Sequence, residues 1–279
     1  MSDSSSVSTE TTIGEKLLLT VSIVAFEPDP AELRTTLESL GRALEPFKPG
    51  SVLITLVDNS RENTIPPLLE ALPFGRNIRL IHGHGNVGFG RGHNLALDRL
   101  GEFHLILNPD IQLQPDALRI AVDFMRDNPD CALLSPHARW PNGQRQYLCK
   151  RFPAVFDLLL RGFAPQALRS RFDQRLSRYE MRAESQDAVF RGPPIVSGCF
   201  MFFRSGMLKR LTGFDPGYML YFEDFDLSLR SGQIAPTAYV PDVRIVHAGG
   251  HAARKGSWHI RQFIRSAARF YMTHGLRLF

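Results

Sequence analysis

Three carboxylates fall within four positions in Leu220-Tyr221-Phe222-Glu223-Asp224-Phe225-Asp226-Leu227, with apolar or aromatic residues on either side. Apolar neighbours raise a carboxylate's pKa, and repulsion between close carboxylates raises one of them further. That is how a base is tuned to accept a proton near neutral pH. The competing reading is an acidic first turn of a helix, favoured by the helix dipole. A second group, Asn108-Pro109-Asp110, follows the apolar run FHLIL. A carboxylate at a strand end beside a proline turn can hold a hard divalent cation; the same tripeptide also suits a plain turn. His247 ends another strand-like run, at 237–246, where a neutral imidazole is either a metal ligand or structural. Between His82 and Asn94 lie five glycines in eleven positions. Such a loop lets backbone N–H groups approach phosphate, and it opens a helix whose N-terminus favours anions. The pattern is not G-x-x-x-x-G-K-[ST], which excludes a P-loop, and a flexible surface loop is the plainer alternative.

These groups need elements to position them. Residues 17–26, 51–57, 78–82 and 103–107 are apolar runs that read as strands buried on both faces. Helices are predicted over 31–44, 65–72, about 92–100 and 115–128. Strand–helix alternation implies a parallel sheet flanked by helices, whose ligands sit beyond the carboxyl ends of the strands. Asp58, the glycine loop and Asp110 all fall at such ends. Residues 150–190 carry many arginines among leucines and aromatics and read as helical excursions. Farther on, 195–203 reads as a strand, 220–231 as a helix, 237–246 as a strand and about 258–274 as a terminal helix. That last helix carries Arg261, Arg265 and Arg269 at i, i+4 and i+8, so it is either an amphipathic membrane-surface helix or a packed helix with a solvated face.

The 279 residues suffice for a sizeable core, and 43% hydrophobic with 22% charged residues is ordinary for a globular chain. A formal charge of +5 fits nucleic acid, an anionic membrane surface or phosphorylated small molecules as partners. Acidic clusters that would repel phosphate argue against nucleic acid. Cys131, Cys149 and Cys199 form no C-x-x-C pair, which argues against a disulfide framework or zinc site and for a reducing compartment. No run of about 18 apolar residues is present. The start, MSDSSSVSTETT, lacks the features of a signal peptide and reads as a disordered lead-in over residues 1–16. The expected location is cytoplasmic.

Taken in order, VSIVAF, LVDNS, GNVGFGRGHN, LILNPDIQL, IVSGCFMFFR, GFDPGYMLYFEDFDLSLR and VPDVRIVHAGG resemble a family 2 glycosyltransferase of the bacterial rhamnosyltransferase-like branch. The match runs over nearly the whole chain after residue 17. The resemblance implies a GT-A fold: a Rossmann-like, mostly parallel α/β sheet flanked by helices, with a C-terminal acceptor-side half. It implies one domain over 17–279, with a nucleotide-sugar half (17–130), an acceptor half (131–257) and a terminal amphipathic helix (258–279). Asp58 corresponds to the carboxylate that recognises the base or ribose, and Ala25 and Phe26 lie where the first loop packs on that base. Asn86, Gly88, Gly90 and Asn94 would lie over the donor diphosphate and sugar. Asn108 occupies the first position of the metal-binding DxD motif and Asp110 the last. Asp110 would bind Mg2+ or Mn2+, with His247 completing the metal site. Asp224 matches the general base, and Glu223 beside it contacts the acceptor; Asp226 reads as structural.

The resemblance implies inverting transfer from a nucleotide-diphosphate sugar, dTDP-L-rhamnose or a UDP-sugar. The implied acceptor is a glycan or a polyprenyl-diphosphate-linked precursor, with peripheral membrane contact and no nucleic acid. Two positions depart from the family pattern: Ala25-Phe26-Glu27 stands for the usual T-Y-N, and Asn108 for the first Asp of DxD. A lost base or metal carboxylate would favour a non-catalytic carbohydrate-binding relative; Asp110 and Asp224 are both present.

Overall fold

A computed structural model describes residues 16–249 and 256–279. The lead-in expected over residues 1–16 therefore lies, up to residue 15, outside the described residues. The first half alternates as its sequence predicts: β1 (Leu19–Ala25), α1 (Pro30–Leu44), β2 (Val52–Asp58), α2 (Pro66–Glu70), β3 (Ile78–Ile81), α3 (Phe89–Asn94) and β4 (Phe103–Leu107). β1 and β4 are buried along their whole length. In β4, Phe103, Leu105 and Leu107 join one core cluster while Ile106 joins a second across the sheet. A continuous apolar run, not an alternating one, satisfies both faces. α1 starts where Pro30 fixes the first turn and the Asp29 carboxylate accepts the Ala31 and Glu32 N–H groups at 2.9 and 3.0 Å. Such a cap is worth about 1 kcal/mol. Leu33, Leu37 and Leu40 then face the sheet.

The second half adds β5 (Ile111–Leu113), α4 (Ala117–Asp127), β6 (Leu133–Arg139), β7 (Arg145–Gln146), β8 (Cys149–Lys150), α5 (Val155–Phe163), α6 (Gln166–Arg171) and α7 (Asp173–Tyr179). It closes with β9 (Phe190–Arg191), β10 (Ile195–Val196), β11 (Phe200–Arg204), α8 (Ser205–Arg210), α9 (Glu223–Gly232), β12 (Thr237–His247) and α10 (Ser257–His274). The main sheet runs β3-β2-β1-β4-β11-β6-β12-β5, with β1 to β4 parallel and β11 and β5 antiparallel to their neighbours. The strand order reverses beside β1, between β2 and β4, so the cleft opens at a topological switch point.

Three expectations about the elements change, and one strand has no counterpart in the sequence reading. The run 195–203 is two strands: β10 leaves the main sheet to pair with β8, and Ser197-Gly198-Cys199 separates it from β11. The predicted helix at 92–100 is instead α3 at Phe89–Asn94, only six residues long. A Cβ on Gly92 would stand 2.9 Å from the Val24 side chain, and one on Gly90 2.8 Å from Phe214, so the glycines serve close packing. The helix predicted from Leu220 begins at Glu223, because Tyr221 and Phe222 take left-handed φ of 72° and 65°. β6 is not evident in its sequence, since Ser135, Pro136 and His137 interrupt it. The sheet nevertheless buries them, with His137 bonded to the Tyr239 hydroxyl at 3.0 Å. The three cysteines are free and buried. No helix among the described residues is long and apolar enough to cross a membrane.

Candidate active site

The carboxyl ends of β1 and β2 form one wall. Ala25 is fully buried, its carbonyl accepts the Asn59 N–H at 2.8 Å, and Phe26 beyond it is half exposed. Asp58 is also fully buried. One carboxylate oxygen accepts the Ser60 N–H at 2.9 Å, and the other has no hydrogen-bond partner. A buried, unpaired carboxylate oxygen costs free energy unless something donates to it, which suits recognition of a ligand N–H or O–H. His82 stands 3.9 Å from that oxygen.

The glycine loop forms the roof. Asn86 Oδ1 accepts the Gly88 N–H at 3.0 Å, and the Asn59 amide donates to the Gly88 carbonyl at 3.1 Å. His84 completes the lattice, 2.8 Å from Asn59 Oδ1. Gly88 has φ 92°, and a Cβ there would lie 2.2 Å from the Met219 carbonyl. The loop is thus clamped onto the segment leading to α9. Asn94 turns out differently from expectation. Its side chain donates to the Phe214 carbonyl at 2.8 Å and accepts the Phe214 N–H at 2.9 Å. Asn94 and Gly90 hold the 213–216 turn; like Ala25, Phe26, Asp58, Asn86, Gly88 and Asp110, they lie outside the lining of the cavity that holds Glu223 and Asp224. Asn59 and His84 are the residues that sequence reasoning missed here; their place next to Asp58 and in the glycine loop is the signal that could have found them.

At the end of β4 the Asn108 N–H donates to the Cys199 carbonyl at 2.9 Å. Asp110 is mostly buried, with Oδ1 unpartnered and Oδ2 3.4 Å from His247 Nε2. Pairing of β12 with β5 puts His247 opposite Ile111 and so beside Asp110. Gln146 Oε1 lies 2.8 Å from His247 Nδ1, and the Trp140 ring stacks on the imidazole at 6.2 Å. Gln146 and Asp110 bracket the ring, and Nε2 must release its proton before that nitrogen can hold a cation. Burial disfavours the imidazolium, but Cys199 and Asp110 outweigh it and push His247 up to about 10. A carboxylate with a spare buried oxygen beside an oriented imidazole fits a divalent cation completed by water and diphosphate oxygens. Among the described residues no group of three His, Cys, Asp or Glu surrounds that position, so the protein's own donors are few. Gln146, on a two-residue strand, carries no readable signal in the sequence.

The opposite wall is the start of α9. Two consecutive non-glycine residues with positive φ are costly and persist where packing enforces them. Here Phe222 is buried among Phe225, Phe263 and Phe270. The twist delivers Glu223 and Asp224 into a cavity of about 430 Å³ that also takes in Asn108, Lys150, Gly198 and His247. Asp224 remains partly accessible. Its Oδ2 accepts the Gly198 N–H at 2.8 Å and its Oδ1 the Phe225 N–H at 3.0 Å. Glu223 is 5% exposed, with one oxygen unpartnered. Burial, then the Asp224 charge, push Glu223 up to about 8; burial also raises Asp224, against the two N–H bonds. Of the two, Glu223 holds its proton to the higher pH, while the Gly198 and Phe225 N–H groups favour the ionised form of Asp224. Asp226 points elsewhere: Arg230 and His274 each meet it at 2.8 Å.

A family model described as glycosyl transferase family 2 matches residues 20–212. The chain belongs to that family. It is 28% identical over 249 residues to an N-acetylglucosaminyl-diphospho-decaprenol L-rhamnosyltransferase of Mycobacterium tuberculosis, covering 84% of this chain and 77% of the relative. It is 26% identical to the rhamnosyltransferase WbbL of Escherichia coli, covering 66% and 72%. Among solved structures, a TarS fragment of S. aureus in complex with UDP superposes with a TM-score of 0.55 at 17% identity, over 82% of this chain and 60% of that one. The mannosyltransferase PcManGT of Pyrobaculum calidifontis, in complex with GDP-Man and Mn2+, gives 0.58 at 17% identity, over 93% and 70%. The chain spans 37% of the longer TarS chain. These likenesses show the GT-A fold, and as a family 2 member the chain is a nucleotide-sugar glycosyltransferase.

The arginine-rich segment after β8 is less free than its sequence suggests. Arg151, Arg161, Arg175 and Arg182 are engaged by Glu184, Glu180, Asp157 and the Asp173–Glu180 pair. In α10, Arg269 pairs with Asp215 at 2.7 Å, so the arginine stripe is solvated at Arg261 and Arg265 but tied down at its far end.

Proposed function

We propose that this chain is an inverting rhamnosyltransferase that moves L-rhamnose from dTDP-L-rhamnose to a hydroxyl of a polyprenyl-diphosphate-linked glycan. The observation that carries the reaction type is the Glu223–Asp224 pair in a cavity shared with Asn108 and His247. Asp224, ionised and fixed by two backbone N–H groups, takes the proton of the acceptor hydroxyl as that oxygen attacks the anomeric carbon. Glu223, protonated, donates a hydrogen bond to the acceptor. Asp58 binds the nucleoside, with Phe26 exposed beside it for stacking. The loop from Asn86 to Gly88 lies over the diphosphate. Asp110 and His247 would hold Mg2+ or Mn2+, which neutralises charge on the departing diphosphate. A single displacement inverts the anomeric centre. The sugar rests on the two rhamnosyltransferase relatives, and the lipid-linked acceptor on the Mycobacterium tuberculosis one.

Membrane contact belongs to the same reading. Leu159 and Phe163 on α5, Leu168 on α6, and Ile260 and Ile264 on α10 are exposed, as is Leu276 beyond it. The Phe163 and Phe263 rings bring α5 against α10. Arg169, Arg171, Arg261 and Arg265 flank these side chains. Exposed apolar groups ringed by arginine suit an anionic bilayer surface. Flotation with vesicles containing phosphatidylglycerol, but not with pure phosphatidylcholine, is expected; equal behaviour with both refutes the contact.

The test of the main reading is thermal stabilisation by a panel of nucleotide sugars, each with and without Mn2+. Metal-dependent stabilisation by dTDP-L-rhamnose above UDP- and GDP-sugars supports the donor. Preference for another nucleotide sugar replaces it.

A further inference from the structure

Lys150 is a lysine without a counter-ion in the wall of the acid/base cavity. It sits on β8, paired with Ile195 of β10, and is only 4% exposed. Among the described residues no carboxylate forms an ion pair with it. Its ammonium donates to the Tyr147 carbonyl and lies 6.0 Å from the centre of the Tyr179 ring. An ammonium has three donors, so two remain for other partners. Burying an unpaired charge is expensive, and mutation normally removes it unless the charge is used.

The neighbours say what it is used for. Lys150 lines the same cavity as Glu223 and Asp224. The antiparallel β8–β10 ribbon ends at Ser197-Gly198, whose N–H group holds the Asp224 carboxylate. The charged and titratable groups around Lys150 are Arg161 of α5, Glu180 after α7, its neighbour Cys149, and Cys199 between β10 and β11. Those around Asp224 are Glu223 on its own helix and Lys150 across the cavity. Burial opposes the charged form of both residues: it brings Lys150 down to about 7, while the Gly198 and Phe225 N–H groups, and after them the Lys150 ammonium, pull Asp224 back toward ionisation. Two carboxylates side by side in a buried cavity would otherwise share a proton.

We infer that Lys150 is a positioning residue of the acid/base centre, whose buried ammonium keeps the Asp224 carboxylate ionised beside Glu223. This rests on reading Asp224 as the base. The role needs charge at that place, not contact with substrate, so arginine should substitute in part and methionine should not.

The test is a carboxyl-carbon NMR titration of the full chain, with Asp224→Asn identifying the Asp224 signal. Lys150→Met is expected to raise the Asp224 midpoint by about one pH unit, a tenfold loss of ionised base at a pH below the midpoint. Lys150→Arg is expected to keep it near the parent value. In transfer assays with dTDP-L-rhamnose and Mn2+, the acid limb of kcat/KM for Lys150→Met should move up by the same amount, with activity returning as pH rises. An unchanged midpoint in folded Lys150→Met overturns the inference, as does a loss of activity equal at all pH values. Should methionine prevent folding, Lys150→Gln carries the same expectation, and a raised midpoint in Lys150→Arg overturns it too. Full transfer by Asp224→Asn would remove the base reading while leaving the NMR shift of Lys150→Met intact, so the two failures are distinguishable.

Discussion

The proposed donor wall and the proposed acid/base wall of the cleft are built by different means. On the donor wall, a backbone N–H holds Asp58 at the end of β2, and the Asn59 and Asn86 side chains hold Gly88 in the loop after β3. On the facing wall, Glu223 and Asp224 ride on a helix whose start runs through two left-handed residues, pinned by the aromatic cluster beneath α10. Parallel strands stop at nearly the same level, so their ends make a shelf, with a left-handed residue, Glu27 at φ 45°, just beyond β1. A base and its acidic neighbour need something else. They need burial, close approach and a compensating charge, and these come from elements far apart in the chain: β8, the 197–199 turn and α10.

If the facing wall carries the proton transfer, Asp224→Asn has the largest effect. Loss of a general base costs on the order of 10²–10⁴ in rate, so kcat is expected to fall by about that factor while dTDP-L-rhamnose still protects against thermal unfolding. The parent enzyme should also lose activity as pH falls through a midpoint above the ordinary carboxylate range, because burial raises Asp224. A limb at the ordinary position would show that the base is elsewhere.

The proposed metal position would join the two walls, since Asp110 follows β4 and His247 ends β12. Gln146→Ala frees the imidazole that Gln146 orients. Removal of such a partner typically costs 10–100-fold in metal affinity or activity. The variant is expected to need correspondingly more Mn2+ for half-maximal rate, with the saturated rate less affected. No change in the Mn2+ requirement would detach His247 from the metal.

The same contrast explains what the sequence discloses. The donor wall is legible because each of its groups follows an apolar run, so Asp58, the glycine loop and Asp110 could be placed by counting strands. Glu223-Asp224 was legible by its aromatic surroundings. Lys150 and Gln146 were not, because two-residue strands have no periodicity, and a lone lysine among arginines looks solvated until the ribbon buries it. Asn94 is placed over the donor by the family resemblance alone, whereas its side chain exchanges two hydrogen bonds with the backbone of Phe214, a contact that no local pattern announces.

Gly88→Ala tests the donor wall where its loop meets the segment leading to α9. The added Cβ meets the Met219 carbonyl at 2.2 Å, and φ 92° is strained for alanine. A cost of about 1–3 kcal/mol is expected, with donor protection weakened and the Asp224 titration unmoved. Glu223→Gln tests the other. The folded protein holds the Glu223 proton to about 8, whereas an unfolded glutamate releases it near 4.5. Folding is thus favoured below the unfolded value and loses that contribution as pH rises through the folded one. The amide removes this dependence, so the variant's Tm should gain on the parent's more at pH 8 than at pH 5. Equal shifts at both would mean that Glu223 is ionised in the fold.

The smallest effect is expected where a carboxylate of the same helix has no part in chemistry. Asp226 lies two residues from Asp224, yet α9 turns it away from the cavity, toward Arg230 and the last turn of α10, where His274 meets it at 2.8 Å. His274→Ala removes one side-chain hydrogen bond while Arg230 still matches the Asp226 charge. A net loss of about 1 kcal/mol is expected, seen as a lower Tm, with kcat per folded molecule and its pH profile unchanged. That outcome would confine the acid/base wall to Asp224, Glu223 and Lys150. A shifted acid limb instead would mean that the docking of α10 reaches the base through the first turn of α9, and that Asp226 belongs to the wall after all.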